Sequence, residues 1–464
     1  MMEALRFPWE DDDKRREVAP SAFRPRARRT SSRSHASRQP RKPSSRRRPI
    51  VSRTVATTPL PAASPRVSTS HASRESARDR TTGRVVKGPQ RERHEPDYVL
   101  MAVAAALSAI GILMVYSSGG HSAALEGSVF DAVSEQLGWG LLGGLVLLGV
   151  MRVDYRYWRS FSILGIAVSI VLLVLVIGPS IPPLLQPIDA NGATRWLKIG
   201  GLPSFQPTEV AKLALVIFLA HSLARQGVKT GSFRSGMLPF LALIGTFAGL
   251  ILLEPDLGTT GVLVLTAFTM FFVAGGSIWQ LLLMVPLGVA AVAGVVMMKP
   301  YMLQRVVIFL DPFADPANAG YQTVRGIYSL AYGGITGKGL GVSQQPAGLS
   351  VPAAENDFIF AVVGQEFGYL GGLLVIALFL ILAWRGMRVA MNAPDTFGGL
   401  MALGITAWLT FQAFINIGVV VNLLPLTGMP LPFLSDGGTS LVVVLAAVGI
   451  LLSISRETVT RGAS

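Results

Sequence analysis

Ten runs of roughly 20 apolar residues constrain this chain more than any other feature, because a hydrocarbon core about 30 Å thick is crossed by a helix of about that length. They fall at approximately 98–117, 134–152, 159–177, 208–225, 236–253, 257–275, 278–298, 358–384, 397–421 and 437–455. The pattern predicts an all-α integral membrane protein with ten transmembrane helices. With 50% of its 464 residues hydrophobic and only 15% charged, the chain is far more apolar than an ordinary soluble domain.

The formal net charge of +14 invites a nucleic-acid reading until it is located along the chain. Residues 1–96 hold 24 Lys+Arg against 10 Asp+Glu, and the remainder holds 17 of each. No nucleic-acid partner is expected for a neutral apolar body. The segment 1–96 is rich in Ser, Arg and Pro and too poor in aliphatic residues to offset its ordering entropy, so it reads as a disordered basic cytoplasmic tail. It lacks an apolar stretch followed by a small-residue cleavage site; Tyr98 onward reads as an uncleaved signal anchor. The chain has no cysteine, which excludes disulfides, Cys-ligated zinc and thiol catalysis.

Lys and Arg in short loops set the orientation. With the tail inside, the inner connections carry Arg152, Arg156 and Arg159, then Arg225, Lys229 and Arg234, then Arg385 and Arg388, then Arg456 and Arg461. Both termini are thereby expected in the cytoplasm, with 457–464 as a short C-terminal end. Three longer segments fall outside: 178–207, 299–357 between helices seven and eight, and 422–436. The middle one has aromatic and aliphatic stretches ("IYSLAYGGI", "DFIFAVV") that argue for packing at the membrane surface.

Ionisable groups in spans are costly, and each is a functional candidate to be weighed against a structural role. In "SFQPTEVAKLALV", Glu209 and Lys212 stand three apart on one helical face, either a structural ion pair or part of a polar cavity. In "LLEPDLGTTGVLV", Glu254 and Asp256 flank a proline, where a carboxylate that caps the next helix is the plain alternative. For Glu366 in "AVVGQEFGYLGG" the plain alternative is a satisfied helix-packing group. The loop "FLDPFADPANAGYQ" places two Asp-Pro pairs four residues apart, which is turn chemistry. Asp315 differs from Asp311 because helical apolar spacing resumes directly after it. "GGITGKGLG" lacks the Ser or Thr of a phosphate loop, and the five histidines show no metal-ligand spacing.

From about Tyr98 to Arg456 the chain resembles the FtsW/RodA/SpoVE family, the SEDS proteins of bacterial cell-wall synthesis. The motifs are "NGATRWLKIGGLPSFQPTEVAKLALV", "EPDLGTT", "DPFADPANAGYQ" with "GGITGKGLGVSQQ" and "ENDFIFAVVGQEFGYLGG", and "INIGVVVNLLPLTGMPLPFLSDGGTSL". The resemblance implies ten spans, a multi-pass protein of the bacterial cytoplasmic membrane, and a large extracytoplasmic loop at 299–357. "NGATRW" and the long tail favour the FtsW branch, whereas "FLDP" and "MPLPFLSDGG" lean towards RodA. The chain departs from many relatives at Asp436, at Ala353 to Asn356, at Arg325 and at Gln365.

The resemblance also implies an activity: polymerisation of lipid II into glycan strands beside a class B penicillin-binding protein, among other divisome or elongasome membrane proteins. One lipid-linked sugar offers its 4-hydroxyl to the anomeric carbon of another, whose undecaprenyl diphosphate departs. The family's loop aspartate matches Asp315, as general base. Arg195, Glu209, Lys212, Asp256 and Gln322 are carried over as substrate-binding residues. No organic cofactor is implied; a divalent cation, Mg²⁺ or Mn²⁺, would fit a diphosphate leaving group. The competing readings are a lipid II flippase and a non-catalytic scaffold that activates a penicillin-binding protein.

Overall fold

The computed structural model describes residues 94–457 except 127–128, 179–184, 191–192, 202, 227–230, 343–350 and 352–353. The expectations for a disordered tail and for a C-terminal end past residue 457 lie outside the described residues. The helices are α1 (Tyr98–Glu126), α2 (Val129–Arg152), α3 (Trp158–Ile177), α4 (Pro207–Gln226), α5 (Leu238–Leu253) and α6 (Leu257–Val273). They continue as α7 (Ile278–Met298), α8 (Pro300–Leu310), α9 (Tyr321–Gly333), α10 (Ile359–Met391), α11 (Thr396–Val420) and α12 (Gly438–Ser455). Between α3 and α4 the segment expected as a plain external loop holds an antiparallel hairpin, β1 (Leu185–Ala190) and β2 (Ala193–Ile199). An all-α description therefore holds for the membrane body and not for this hairpin.

Among the described residues, nine helices are long and apolar enough to cross a membrane. At the position of the sixth expected span lies α6, shorter than the nine, whose 17 residues rise about 25 Å at 1.5 Å per residue. It starts where Asp256 caps it, with Oδ1 accepting the Thr259 N–H at 2.9 Å. The inner helices are α4, α11 and α12, which pack on one another and on α2, α3, α6 and α10. Among the nine, α11 is the most buried and α7 the least, so α11 is the central post and α7 lies at the periphery of the bundle. Small residues let the central helices approach: a Cβ on Gly404 would lie 2.6 Å from Met270 Sδ and 2.7 Å from Val216 Cγ1.

The span α10 is broken at Gly368, which adopts φ 68° and ψ −165°. A break inside a membrane frees backbone groups, and these must find partners in protein. The Gln365 and Glu366 carbonyls accept the N–H groups of Lys338 and Gly339, at 3.1 and 3.0 Å. In return Tyr369 and Leu370 donate to the Gly334 and Ile335 carbonyls. "GGITGKGLG" is thus the plug of a helix break, and Glu366 is held beside it, its Oε1 accepting from Ser117 Oγ at 2.6 Å and from the Gly341 N–H at 3.1 Å.

The expected inner loops meet at one end of the bundle. Arg156 pairs with Asp154, Asp395 and Glu457, Arg385 pairs with Asp97, and the Arg456 carbonyl accepts the His94 N–H. The hairpin, α8, α9 and the 421–437 connection contribute the polar groups of the other end.

Candidate functional site

The Asp-Pro loop runs from the end of α8 into α9 and folds on its own side chains. Asp311, exposed, accepts the Phe313 N–H at 3.1 Å. Asp315, half-buried, accepts Asn318 Nδ2 at 3.0 Å on Oδ1 and the Ala319 N–H at 3.3 Å on Oδ2, while its carbonyl takes the Gly320 N–H. Both aspartates therefore shape the turn, and the turn expected of Asp311 alone is shared. An ionised carboxylate has about four acceptor positions, so two remain on Asp315 for a substrate hydroxyl. The bonds of Asp315 stay within this loop.

The other predicted residues form two groups joined by one loop. Arg195 extends from β2 to the α5–α6 turn, where Nη2 donates to the Pro255 carbonyl at 2.6 Å and Nε to the Glu254 carbonyl at 3.3 Å. Asp256 in that turn caps α6, accepting Thr259 Oγ1 on Oδ2 at 2.8 Å as well as the Thr259 N–H on Oδ1. Deeper in the bundle, Lys212 Nζ lies 2.7 Å from Glu209 Oε1 and 2.7 Å from Gln412 Oε1, with its charge 5.1 Å from the centre of the Trp408 ring. Gln412 donates in turn to the Pro430 carbonyl, and Asn416, one turn further along α11, donates to the carbonyls of Met429 and Asp357. Gly428 then faces the first group: with φ 68° it sits where a Cβ would be 3.6 Å from Arg195 Nη1 and 3.7 Å from Asp357 Oδ2. Gln322 Nε2 donates to the same Asp357, on Oδ1, at 3.3 Å.

Residues outside the predicted substrate-binding set complete this end. Burial pushes the Asp357 carboxyl up to about 6, against the pull of its own backbone N–H, Arg305, Gln322 and Arg195. Burial pushes the Glu254 carboxyl up to about 8, with Asp256 adding to the effect and Arg195 opposing it. Arg305, on α8, donates to the Leu426 carbonyl at 3.2 Å and lies over the Tyr301 ring. Gln412 and Asn416 carry no charge to mark them within an apolar span; their spacing of four on one helix face is the signal that singles them out in the sequence. Among the described residues no three His, Asp or Glu side chains converge as a metal site.

This arrangement can be set against known proteins. The family model described as "Cell cycle protein", FtsW/RodA/SpoVE, matches residues 97–460. The chain belongs to the FtsW/RodA/SpoVE family. It is 39% identical over 367 residues to stage V sporulation protein E of Bacillus subtilis, covering 79% of this chain and 98% of that protein. It is 36% identical over 369 residues to a probable peptidoglycan glycosyltransferase FtsW of Geobacter sp. strain M18, with the same coverage. Among solved family structures, a chain of a peptidoglycan synthase complex, studied for its coordination of polymerization and crosslinking, superposes with a TM-score of 0.65. Its sequence is 28% identical, and the match covers 79% of this chain and 99% of that one. Thermus thermophilus RodA superposes at 0.57 with 25% identity, covering 78% of this chain and 97% of that one. The multi-span membrane body is the part shared with all of them.

Proposed function

We propose that this chain is a peptidoglycan glycosyltransferase that polymerises lipid II on the outer face of the bacterial cytoplasmic membrane, with both termini in the cytoplasm. The observation that carries the activity is full-length likeness: the match to relatives named as probable peptidoglycan glycosyltransferases extends over 98% of such a protein. The basic loops gathered at one end of the bundle support the orientation, since positive charge is retained on the cytoplasmic side. The opposite end, which holds the Asp315 loop, then faces outwards.

In this reading the acceptor's 4-hydroxyl oxygen bonds to the donor's anomeric carbon while the bond from that carbon to the diphosphate breaks. The electron pair leaves with undecaprenyl diphosphate, and the hydroxyl proton passes to Asp315, whose carboxylate is held by Asn318 and Ala319 with acceptor positions to spare. General-base assistance of this kind is worth about 10² to 10⁴ in rate. Arg195, Gln322 and the Asp256 turn would position the lipid-linked sugars; Glu209 and Lys212, locked to each other, would hold the cavity floor. A divalent cation would enter as a companion of the diphosphate, taking most of its ligands from substrate oxygens, since among the described residues no three His, Asp or Glu side chains converge. The synthase-complex neighbour supports a class B penicillin-binding protein as the partner that crosslinks the product.

The test is lipid II polymerisation by the purified protein with its cognate penicillin-binding protein. Asp315→Ala is expected to cut glycan synthesis by at least about 10² with little change in thermal stability. Undiminished synthesis by that variant would move the base elsewhere; lipid II translocation without synthesis by the wild type would favour the flippase.

A further inference from the structure

Two arginines at the outer end are oriented by carbonyls and not by carboxylates. Arg305 donates to the carbonyl of Leu426, and Arg195 donates to those of Glu254 and Pro255 while lying beside Gly428, two residues from Leu426. Among the described residues neither has a carboxylate within ion-pair distance, although Arg156 and Arg385 at the opposite end both do. Burial depresses the Arg305 pKa and the charge of Arg195 depresses it further, only partly offset by Tyr301 and by Asp357 and Asp256 from beyond ion-pair distance, so two cations share a buried end without a direct counter-ion. Such a placement calls for an anion.

The surrounding groups agree. The hydroxyls of Tyr301, beneath Arg305, and of Thr427, between Leu426 and Gly428, are both buried and meet no hydrogen-bond partner among the described residues. The Glu254 side chain is only 2% exposed and has no partner for either carboxyl oxygen. Raised to about 8, it carries a proton at neutral pH and can donate. Buried polar groups are almost always paired, and here the unpaired ones next to the two arginines are all capable of donating.

We infer that Arg195 and Arg305, with the hydroxyls of Tyr301 and Thr427 and the carboxyl of Glu254, form the binding site for the diphosphate of a lipid-linked sugar. This rests on the polymerase reading and deepens it. Guanidinium forks match phosphate oxygens two at a time, and donors already in place stabilise the charge that grows on the departing diphosphate. Lys212 is excluded from this role by its commitment to Glu209 and Gln412.

The experiment is equilibrium binding of radiolabelled undecaprenyl diphosphate to the full chain in detergent, with undecaprenol and phosphatidylglycerol as competitors, and lipid II turnover in the same preparations. Loss of a charge-assisted contact predicts that Arg305→Gln weakens binding by about tenfold or more and that Arg305→Lys recovers part of it. Tyr301→Phe should weaken binding by about threefold without lowering the melting temperature, since the hydroxyl has no partner to lose. Wild-type affinity in both Arg305→Gln and Tyr301→Phe, or displacement by phosphatidylglycerol as effective as by the diphosphate, would overturn the site. A wild type that makes glycan while those variants bind normally sinks the anion site alone. A wild type that binds through these residues and makes no glycan upholds the site and sinks the polymerase reading.

Discussion

The two ends of the bundle treat arginine differently. At the basic end Arg156 and Arg385 are met by four carboxylates, one from Arg156's own connection and three from other segments, and the contacts tie the start of α1 to α10 and the α2–α3 connection to the start of α11 and the end of α12. At the opposite end Arg195 and Arg305 are met directly by carbonyls, with unpaired hydroxyls and a protonated carboxyl around them and Asp357 and Asp256 beyond ion-pair distance. Closure explains the first pattern. The second is unfavourable for folding alone, which is the signature of a site that waits for charge from outside. The same contrast separates Glu209–Lys212 from its neighbours: it is the one ion pair sealed inside the bundle among the described residues.

That sealed pair offers the largest test. Replacing Lys212 with Met strands a carboxylate that is 1% exposed, a change expected to cost about 3 to 5 kcal/mol. The double variant Glu209→Gln with Lys212→Met should recover most of that loss, because an apolar core tolerates a neutral pair better than a lone charge. Thermal unfolding in detergent reads both. Equal melting temperatures for wild type and Lys212→Met would show that water reaches the pair and that the interior is not sealed.

Glu254 gives the next effect, with a defined sign. Its pKa in the fold, about 8, lies above the ordinary 4.5, so the folded chain keeps a proton that the unfolded chain releases. Stability therefore falls as pH rises from about 4.5 to about 8. Glu254→Gln is neutral throughout; it should match wild type near pH 4 and exceed it by roughly 3 kcal/mol at pH 7. Parallel stability curves for the two proteins between pH 4 and 8 would mean that this end is as well compensated as the basic one.

Much of this was legible before any coordinates. Runs of apolar residues locate the spans because lipid leaves the backbone no alternative to a helix, and Glu209 with Lys212 was recognisable because charge in a span demands a partner. The hairpin was not, since Pro187 interrupts its first strand and blurs the alternation; the Asn191-Gly192 pair in the sequence between the strands was the signal to weigh. Arg305, Tyr301 and Thr427 were invisible for another reason. Each is unremarkable in its own segment, and only the approach of α8 to the 421–437 connection gives the group meaning. Asp357 likewise takes its surroundings from distant parts of the chain: burial pushes its carboxyl up, against the pull of Arg305, Gln322 and Arg195, residues 35 to 162 positions away.

The smallest effect belongs to the basic end, and it separates two roles of one residue. Asp97 accepts Arg385 Nη2 at 2.6 Å on Oδ2 and, on Oδ1, the Leu100 N–H at 3.0 Å, which caps α1. Asparagine caps nearly as well as aspartate, so Asp97→Asn removes the ion pair and keeps the cap; Asp97→Ala removes both. The first should cost about 1 kcal/mol or less and shrink further in high salt, the second about 1 kcal/mol more. Lipid II turnover should be unchanged in either, since the contact lies at the far end from Asp315. A loss of turnover in Asp97→Asn at unchanged stability would mean that closure of the basic end is transmitted to the outer one, and the two ends could no longer be treated as independent.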